Sequence, residues 1–235
     1  MSPPVTPAAL RSAIAAAVAP VGCALVRGNV AAPGGTVLLT GVAGSGAPET
    51  ALHRAIIAAA PTAAVDWRIA GFDGPYCRAL DVLHPVAHGF GASGSGFAMT
   101  LKEGDRPLKD GELITLDLTL PDYPAWLQVD YLEHDGTVVH LHPTAKDPSR
   151  SYPANSQQSL GDPAAGGERW EVGAPYGTDM VIAVASSAPL FTQKRKDLEQ
   201  TEAYLRVLQA AIESARRRNV RLAADALVLT TKPRL

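Results

Sequence analysis

His140 and His142 stand two residues apart in the run Thr137-Val138-Val139-His140-Leu141-His142. On an extended chain that spacing turns both imidazoles to one face, a workable bidentate metal pair, with His134 or Glu133 near the adjacent turn as further donors. A zinc site needs more ligands than two. No cysteine is close and spacing fixes no third ligand, so the pair reads as a half-exposed polar face, and no metal is expected. His84 and His88 are four apart, but Pro85 between them and Gly89 after them mark a helix end. Asp117, Asp122, Asp130 and Glu133 are the carboxylates that could pair for acid–base work, as an envelope hydrolase acting on glycan would require. Strand alternation turns Asp117 and Asp130 outward, where charged residues are solvated. Ser45 and Ser95 each lie in Gly-Ser-Gly, and neither stands in G-x-S-x-G between a strand and a helix, so both read as loop residues. The chain holds no G-x-x-x-x-G-K-[ST] loop and no G-x-G-x-x-G after a strand. No catalytic residue is assigned, and no cofactor is expected.

The elements that must position these groups centre on residues 113–143. Ile114, Leu116, Leu118 and Leu120 alternate with polar residues, the pattern of a strand with one buried face. Pro121-Asp122-Tyr123-Pro124 breaks it, a second strand covers 126–131, and His134-Asp135-Gly136 turns into a third over 137–142. Upstream, Thr6-Pro7 caps a helix that ends at Pro20. Residues 23–30 and 36–42 form a hairpin across Ala32-Pro33-Gly34-Gly35. A helix over 47–60, a strand over 64–72 and a short helix over 75–86 follow. Residues 87–96, AHGFGASGSG, are the best linker in the chain. Downstream, 97–102 is a strand, 143–167 a polar surface excursion without apolar periodicity, and 170–172 a strand. Residues 180–185 are nearly all apolar, as in a strand covered on both faces. The strongest helix spans 197–218, with Leu198, Thr201, Leu205, Leu208, Ile212 and Ala215 on one face, and a last strand covers 224–231.

The chain has 235 residues, 46% of them hydrophobic, enough for one large domain or two small ones. A net charge of -2 makes no electrostatic case for nucleic acid or an anionic membrane. The basic run Arg216-Arg217-Arg218 with Arg221 falls at a helix end, where cations complement the dipole. No run approaches the roughly 20 apolar residues of a membrane span. The N-terminal residues lack the basic region and apolar core of a signal peptide. Read literally that means a cytoplasmic protein; a piece cut from a longer, membrane-anchored chain would instead be periplasmic or otherwise extracytoplasmic. Cys23 and Cys77 are the two cysteines, and residue types alone leave two buried thiols and one disulfide equally open.

The order helix, two strands, helix, strand over residues 5–88, with its Gly35-Thr36-Val37-Leu38-Leu39-Thr40-Gly41 strand, resembles the BON domains of bacterial envelope proteins. Residues 97–235 resemble a bacterial domain-of-unknown-function family. The resemblance rests on Lys109-Asp110-Gly111-Glu112, the aromatic-rich strand pair, His140-Leu141-His142-Pro143 and Pro175-Tyr176-Gly177-Thr178-Asp179. Members of that family are often appended to serine/threonine kinases, caspase-like proteins and envelope proteins. The two resemblances imply an α+β protein: a small αββαβ domain, then a mixed sheet with one long packed helix. They imply a non-catalytic recognition or sensory module outside the cytoplasm, meeting a protein or small envelope ligand. The rivals are the envelope hydrolase and a purely structural assembly module. An extracytoplasmic setting also implies that Cys23 and Cys77 form a disulfide. If the 121–126 and 175–179 turns share one sheet edge, Tyr123, Trp126 and Tyr176 form an aromatic groove with Asp122 and Asp179 as polar anchors.

Overall fold

Thr6 and Pro7 open the first helix as their types dictate: the Thr6 hydroxyl accepts from the Ala9 amide at 3.2 Å and α1 (Pro7–Val18) follows. The computed structural model describes residues 6–30, 36–87, 96–193, 195–196 and 198–234. β1 (Ala24–Val30) and β2 (Val37–Gly44) pair antiparallel, with Ala24 opposite Ala43. The expected turn between them lies outside the described residues. α2 (Ala47–Ala59) then carries the chain across to β3 (Val65–Phe72), which runs parallel to β2 with Val65 opposite Val37. Gly41 accounts for the glycine that ends the quoted strand motif. Its φ is +135°, and a Cβ there would lie 2.1 Å from the Leu25 carbonyl oxygen. α3 (Cys77–Leu83) ends in a single 3₁₀ turn at residues 84–86, so His84 does mark a helix end. His88, Ser95 and most of the expected linker lie outside the described residues.

The remaining elements are β4 (Ala98–Leu101), β5 (Leu108–Lys109), β6 (Leu116–Thr119), β7 (Ala125–Leu132), β8 (Thr137–His142), β9 (Ser151–Tyr152), β10 (Gln157–Leu160), β11 (Thr178–Ser186), β12 (Leu198–Gln200), α4 (Thr201–Arg217) and β13 (Leu222–Lys232). Seven strands form one mixed sheet in the order β12-β8-β7-β11-β13-β5, with β9 also paired to β7; three more form a small antiparallel sheet, β10-β6-β4. The α+β class, the large mixed sheet and the long C-terminal helix are as expected.

Several details differ from the sequence reading. The three strands expected over 113–143 are present, but they divide between two sheets. The alternating run 114–120 supplies β6 to the small sheet, and Pro121 to Pro124 carry the chain from one layer to the other. Residues 143–167 are no bare surface excursion, because Tyr152 and Leu160 are buried and β10 pairs with β6. Strands of two and four residues are too short to print a period. Residues 170–172 make only an isolated bridge, Glu171 to Leu113. The long helix starts at Thr201, since Leu198 to Gln200 pair with β8 instead, and Leu198 is 60% exposed.

Three apolar clusters hold the layers. α1 and α2 pack through Ile14, Leu52 and Ile56 on one face of the first sheet, against Val37 and Leu39. The small sheet closes over one face of the large sheet, with Leu116, Leu118 and Leu120 against Val129 and Val181. On the opposite face α4 lays down Tyr204, Leu205, Leu208 and Ile212 against Leu132, Met180 and Ile182. That last cluster also contains Leu25, Val42, Phe72, Tyr76, Leu80 and Leu83, so the N-terminal and C-terminal segments share one core. Cys23 and Cys77, 54 residues apart, are joined by a disulfide that ties the start of β1 to α3. The Asp81 carboxylate reinforces it by accepting from the Cys23 amide at 3.0 Å. No helix among the described residues is long and apolar enough to cross a membrane.

Candidate functional site

Gln128 and Asp130 alternate onto the α4 side of β7, and α4 presents Tyr204 to the same space because Tyr204 lies beside the Leu205 and Leu208 stripe. The register between β7 and β8 shifts at Val129/Asp130 and sets His140 against Asp130. A charged network results in the core. Asp130 Oδ1 meets His140 Nδ1 at 2.6 Å and accepts from the Gln128 amide at 2.6 Å, while the Tyr204 hydroxyl donates to Asp130 Oδ2. Glu199 Oε1 lies 3.2 Å from His140 Nε2, and Arg195 pairs with the other Glu199 oxygen. Both imidazole nitrogens therefore face carboxylates and both donate, which makes the ring an imidazolium. Burial pushes the His140 ring down, yet Asp130 and Glu199 together outweigh it and hold it above the ordinary histidine range. The two carboxylates are balanced by His140 and Arg195. Burial raises the fully enclosed Tyr204 phenol far above its usual value, with Asp130 adding to the effect.

Above this network lies a solvent-open cavity of about 360 Å³, walled by Trp126, Gln128, His140, Pro143, Phe191 and Arg195 among others. The Arg195 guanidinium sits 5.4 Å from the Phe191 ring centre. Its Nε is buried with no hydrogen-bond partner. The wall thus offers aromatic surface and side-chain amide and hydroxyl groups. It offers no unengaged imidazole, because both nitrogens of His140 are taken.

His140 and His142 are both buried, which corrects the half-exposed polar face. Apolar layers cover the sheet on both sides there, and each ring survives burial by pairing with a carboxylate. The two serve separate networks: His142 Nδ1 lies 3.1 Å from Asp147 and Nε2 lies 3.4 Å from the Tyr152 hydroxyl. Burial lowers the His142 pKa, so this ring is neutral. Among the described residues no group of three or more His, Cys, Asp or Glu side chains is arranged to hold a metal ion. The four carboxylates considered for acid–base work are not gathered either. Asp117 does face solvent on β6, whereas Asp130 is 1% exposed and points into the core, because α4 covers its face of β7. Asp122 pairs with Arg221 at 2.5 Å. Glu133 lies at a different depression on the other face of the sheet, its pKa raised by burial and by the neighbouring Asp135 and Asp179.

The expected aromatic groove does not form. Ser186 pairs with Trp126 and Met180 with Leu132, so the 121–126 and 175–179 turns sit at opposite ends of β11, roughly 25 Å apart at strand rise. Trp126 is the groove residue that lines the cavity. Tyr123 is buried, donates to the Ala185 carbonyl at 3.3 Å and lies under the Arg221 guanidinium at 4.2 Å. Tyr176 packs half-buried against the second cluster and hydrogen-bonds Asp110. Asp179 is buried, accepting from the Tyr131 hydroxyl at 2.6 Å and the His134 amide at 2.9 Å. Its carboxylate also holds the His134 ring at 2.8 Å and raises that imidazole's pKa. Asp179 is therefore a structural corner, not an open anchor. Arg195, Glu199 and Tyr204 escaped the sequence reading. The usable sign was a tyrosine and a strand of mixed Gln and Asp set among residues otherwise fit for burial.

Fold and site together define an α+β protein with a solvent-open cavity over a buried, charge-balanced network. Residues 108–189 match the family model described as Domain of unknown function (DUF4384). The match spans β5 to β11, so it includes Trp126, Asp130 and His140 but not Arg195, Glu199 or Tyr204. No curated protein matches the chain. A solved structure titled as that of WR4, a C. elegans MSP family member, is similar at 9% identity, covering 59% of this chain and 99% of its own, with a TM-score of 0.32. A likeness that low bears on neither fold nor function.

Proposed function

We propose that this chain is a non-catalytic recognition module acting outside the cytoplasm as part of a signalling or secretion-associated protein. In this reading it holds a neutral, carbonyl-bearing ligand, such as an extended peptide segment, in the cavity beside Trp126. The observation that carries the reading is the cavity wall: a half-buried but accessible indole and phenyl ring stand beside the amide and hydroxyl groups of Gln193 and Thr192, while the imidazole in the wall is locked between carboxylates. Such a wall grips a ligand by stacking and by side-chain amide and hydroxyl hydrogen bonds to a carbonyl, and it presents no free base. The disulfide supports an oxidising compartment. The BON resemblance of residues 5–88 and the habit of the second family of joining kinase-like or caspase-like partners belong to the same reading. The test is titration of the isotopically labelled chain with a pool of neutral tetrapeptides while the indole N–H resonances are followed. The Trp126 resonance should move while that of Trp170 stays, and Trp126→Ala should weaken binding about tenfold or more. If Trp126 stays still, or Trp126→Ala binds like the parent, the cavity is not the site.

A further inference from the structure

β3 is the outer strand of the N-terminal sheet: among the described residues it pairs with β2 and with no other strand. Eight residues long, it has no proline and pairs with β2 without a bulge, and its two charged side chains, Asp66 and Arg68, sit within 2.8 Å of each other. Val65 is 37% exposed, and Trp67 and Ile69 are only partly covered by α2, whose Ile57 is 53% exposed. An open depression of about 680 Å³ lies beside this edge, lined by His53, Ile57 and Trp67.

The orientation of the backbone is fixed. The Ala64 carbonyl accepts from Val37 N at 2.8 Å and the Phe72 carbonyl from Ser45 N at 2.9 Å, so even-numbered residues of β3 turn their polar groups toward β2. Alternation leaves the N–H and C=O groups of Val65, Trp67 and Ile69 pointing out from the free edge. Along the same five residues the side chains read Val-Asp-Trp-Arg-Ile. Asp66 and Arg68 lie on one face, and the three apolar residues on the face toward α2.

We propose that β3 pairs antiparallel with β3 of a second copy of this chain, across a two-fold axis at Trp67. In that register Trp67 meets the partner's Trp67 and Val65 meets the partner's Ile69. All of these are residues whose backbone groups face outward, and they exchange about six hydrogen bonds across the axis. Asp66 falls opposite the partner's Arg68, and Arg68 opposite the partner's Asp66, in the non-hydrogen-bonded positions where facing side chains come closest. The sequence is thus complementary to its own reverse, as an isologous interface requires. A parallel pairing in register would oppose Asp to Asp and Arg to Arg. The two three-stranded sheets become one of six strands, and the copy roofs the depression beside Trp67.

Charge reversal tests this on the full chain by sedimentation equilibrium. The parent should show concentration-dependent association toward twice its 24.5 kDa mass. Asp66→Arg alone, or Arg68→Asp alone, places like charges opposite one another twice per interface and should weaken association about tenfold or more. The double variant Asp66→Arg/Arg68→Asp should restore it. Both side chains are solvent-exposed, so the thermal midpoints of the single variants should match the parent, which separates lost pairing from lost folding. Amide exchange at Val65, Trp67 and Ile69 should slow as concentration rises. A chain that is monomeric at all concentrations, an association indifferent to both single reversals, or a monomer whose β3 edge takes an extended peptide of another protein would each overturn the proposal.

Discussion

His140 and His142 show how little a residue's type says about its charge. Two positions apart on β8, one ring is an imidazolium held between two carboxylates and the other is a neutral, fully buried ring between Asp147 and the Tyr152 hydroxyl. Their contributions to stability run in opposite senses. A raised folded pKa means that His140 stabilises fully below the unfolded value of about 6.5 and loses that contribution as pH rises through its folded value. A lowered one means that His142 contributes fully above about 6.5 and loses it as pH falls. Denaturant unfolding followed from pH 5 to 8 should show His140→Gln removing the loss on the alkaline side and His142→Gln removing the loss on the acid side. Each change in slope should be at most about 1.4 kcal/mol per pH unit. The slope is the readout, whatever the level. If His140→Gln leaves the slope above pH 6.5 unchanged, the ring is not the cation described. From the sequence the two histidines were legible as a pair on one strand; their partners were not, because Glu199 and Tyr204 reach His140 and Asp130 from 59 and 74 residues away.

Elements with a full period and a chemical boundary were readable: α1 from its Thr-Pro cap, β11 from its unbroken apolar run, the α4 face from Leu205, Leu208 and Ile212. The four-residue strands β4 and β6 were legible too, but other short elements were not. β9, β10 and β12 exist because a neighbouring strand offers them a ladder, and nothing in their own residues announces it. The pairing of Cys23 and Cys77 belongs between these cases, since residue types left it open and the implied extracytoplasmic setting decided it. Cys23 takes a left-handed φ of +54°, a conformation side chains seldom adopt, and is held there by the disulfide to α3 and by the Asp81 carboxylate. Thiol titration of the denatured, unreduced protein should find none. Reduction should lower the denaturant midpoint by an amount corresponding to at most about 4 kcal/mol, and amide exchange in α3 should speed up first. An unchanged midpoint after reduction would mean that α3 is held by its core packing and the Asp81 contact without help from the disulfide.

At the scale of the whole molecule, one buried ion pair joins parts that sequence reading assigned to separate units. Arg27 of β1 reaches Asp225 of β13 at 3.0 Å and the Phe97 carbonyl at 3.3 Å, and Asp225 also accepts from the Met99 amide at 2.7 Å. The large sheet, the small sheet and the first sheet meet at that carboxylate, next to the cluster shared by Leu80, Leu83 and α4. Local periodicity carries no trace of a junction between residues almost two hundred positions apart. Its consequence is cooperative unfolding. Calorimetry on the intact chain should give one transition whose calorimetric and van't Hoff enthalpies agree, and two resolved transitions would show that the shared cluster does not couple the segments. Burial pushes the Asp225 carboxyl up to about 6, and Arg27 opposes that rise. Folding therefore favours the protonated acid, and the contribution of Asp225 is fully present below about pH 3.9 and is lost as pH rises through about 6. Arg27→Met takes away the cation and leaves the carboxyl enclosed, so its cost should be small near pH 4 and grow to about 3–5 kcal/mol by neutral pH, where the parent relies on the pair. Unfolding free energies of parent and variant at pH 4, 5.5 and 7.5 read this directly: a gap that widens with pH places Asp225 at the junction as described, and a constant gap would reduce the contribution of Arg27 to packing.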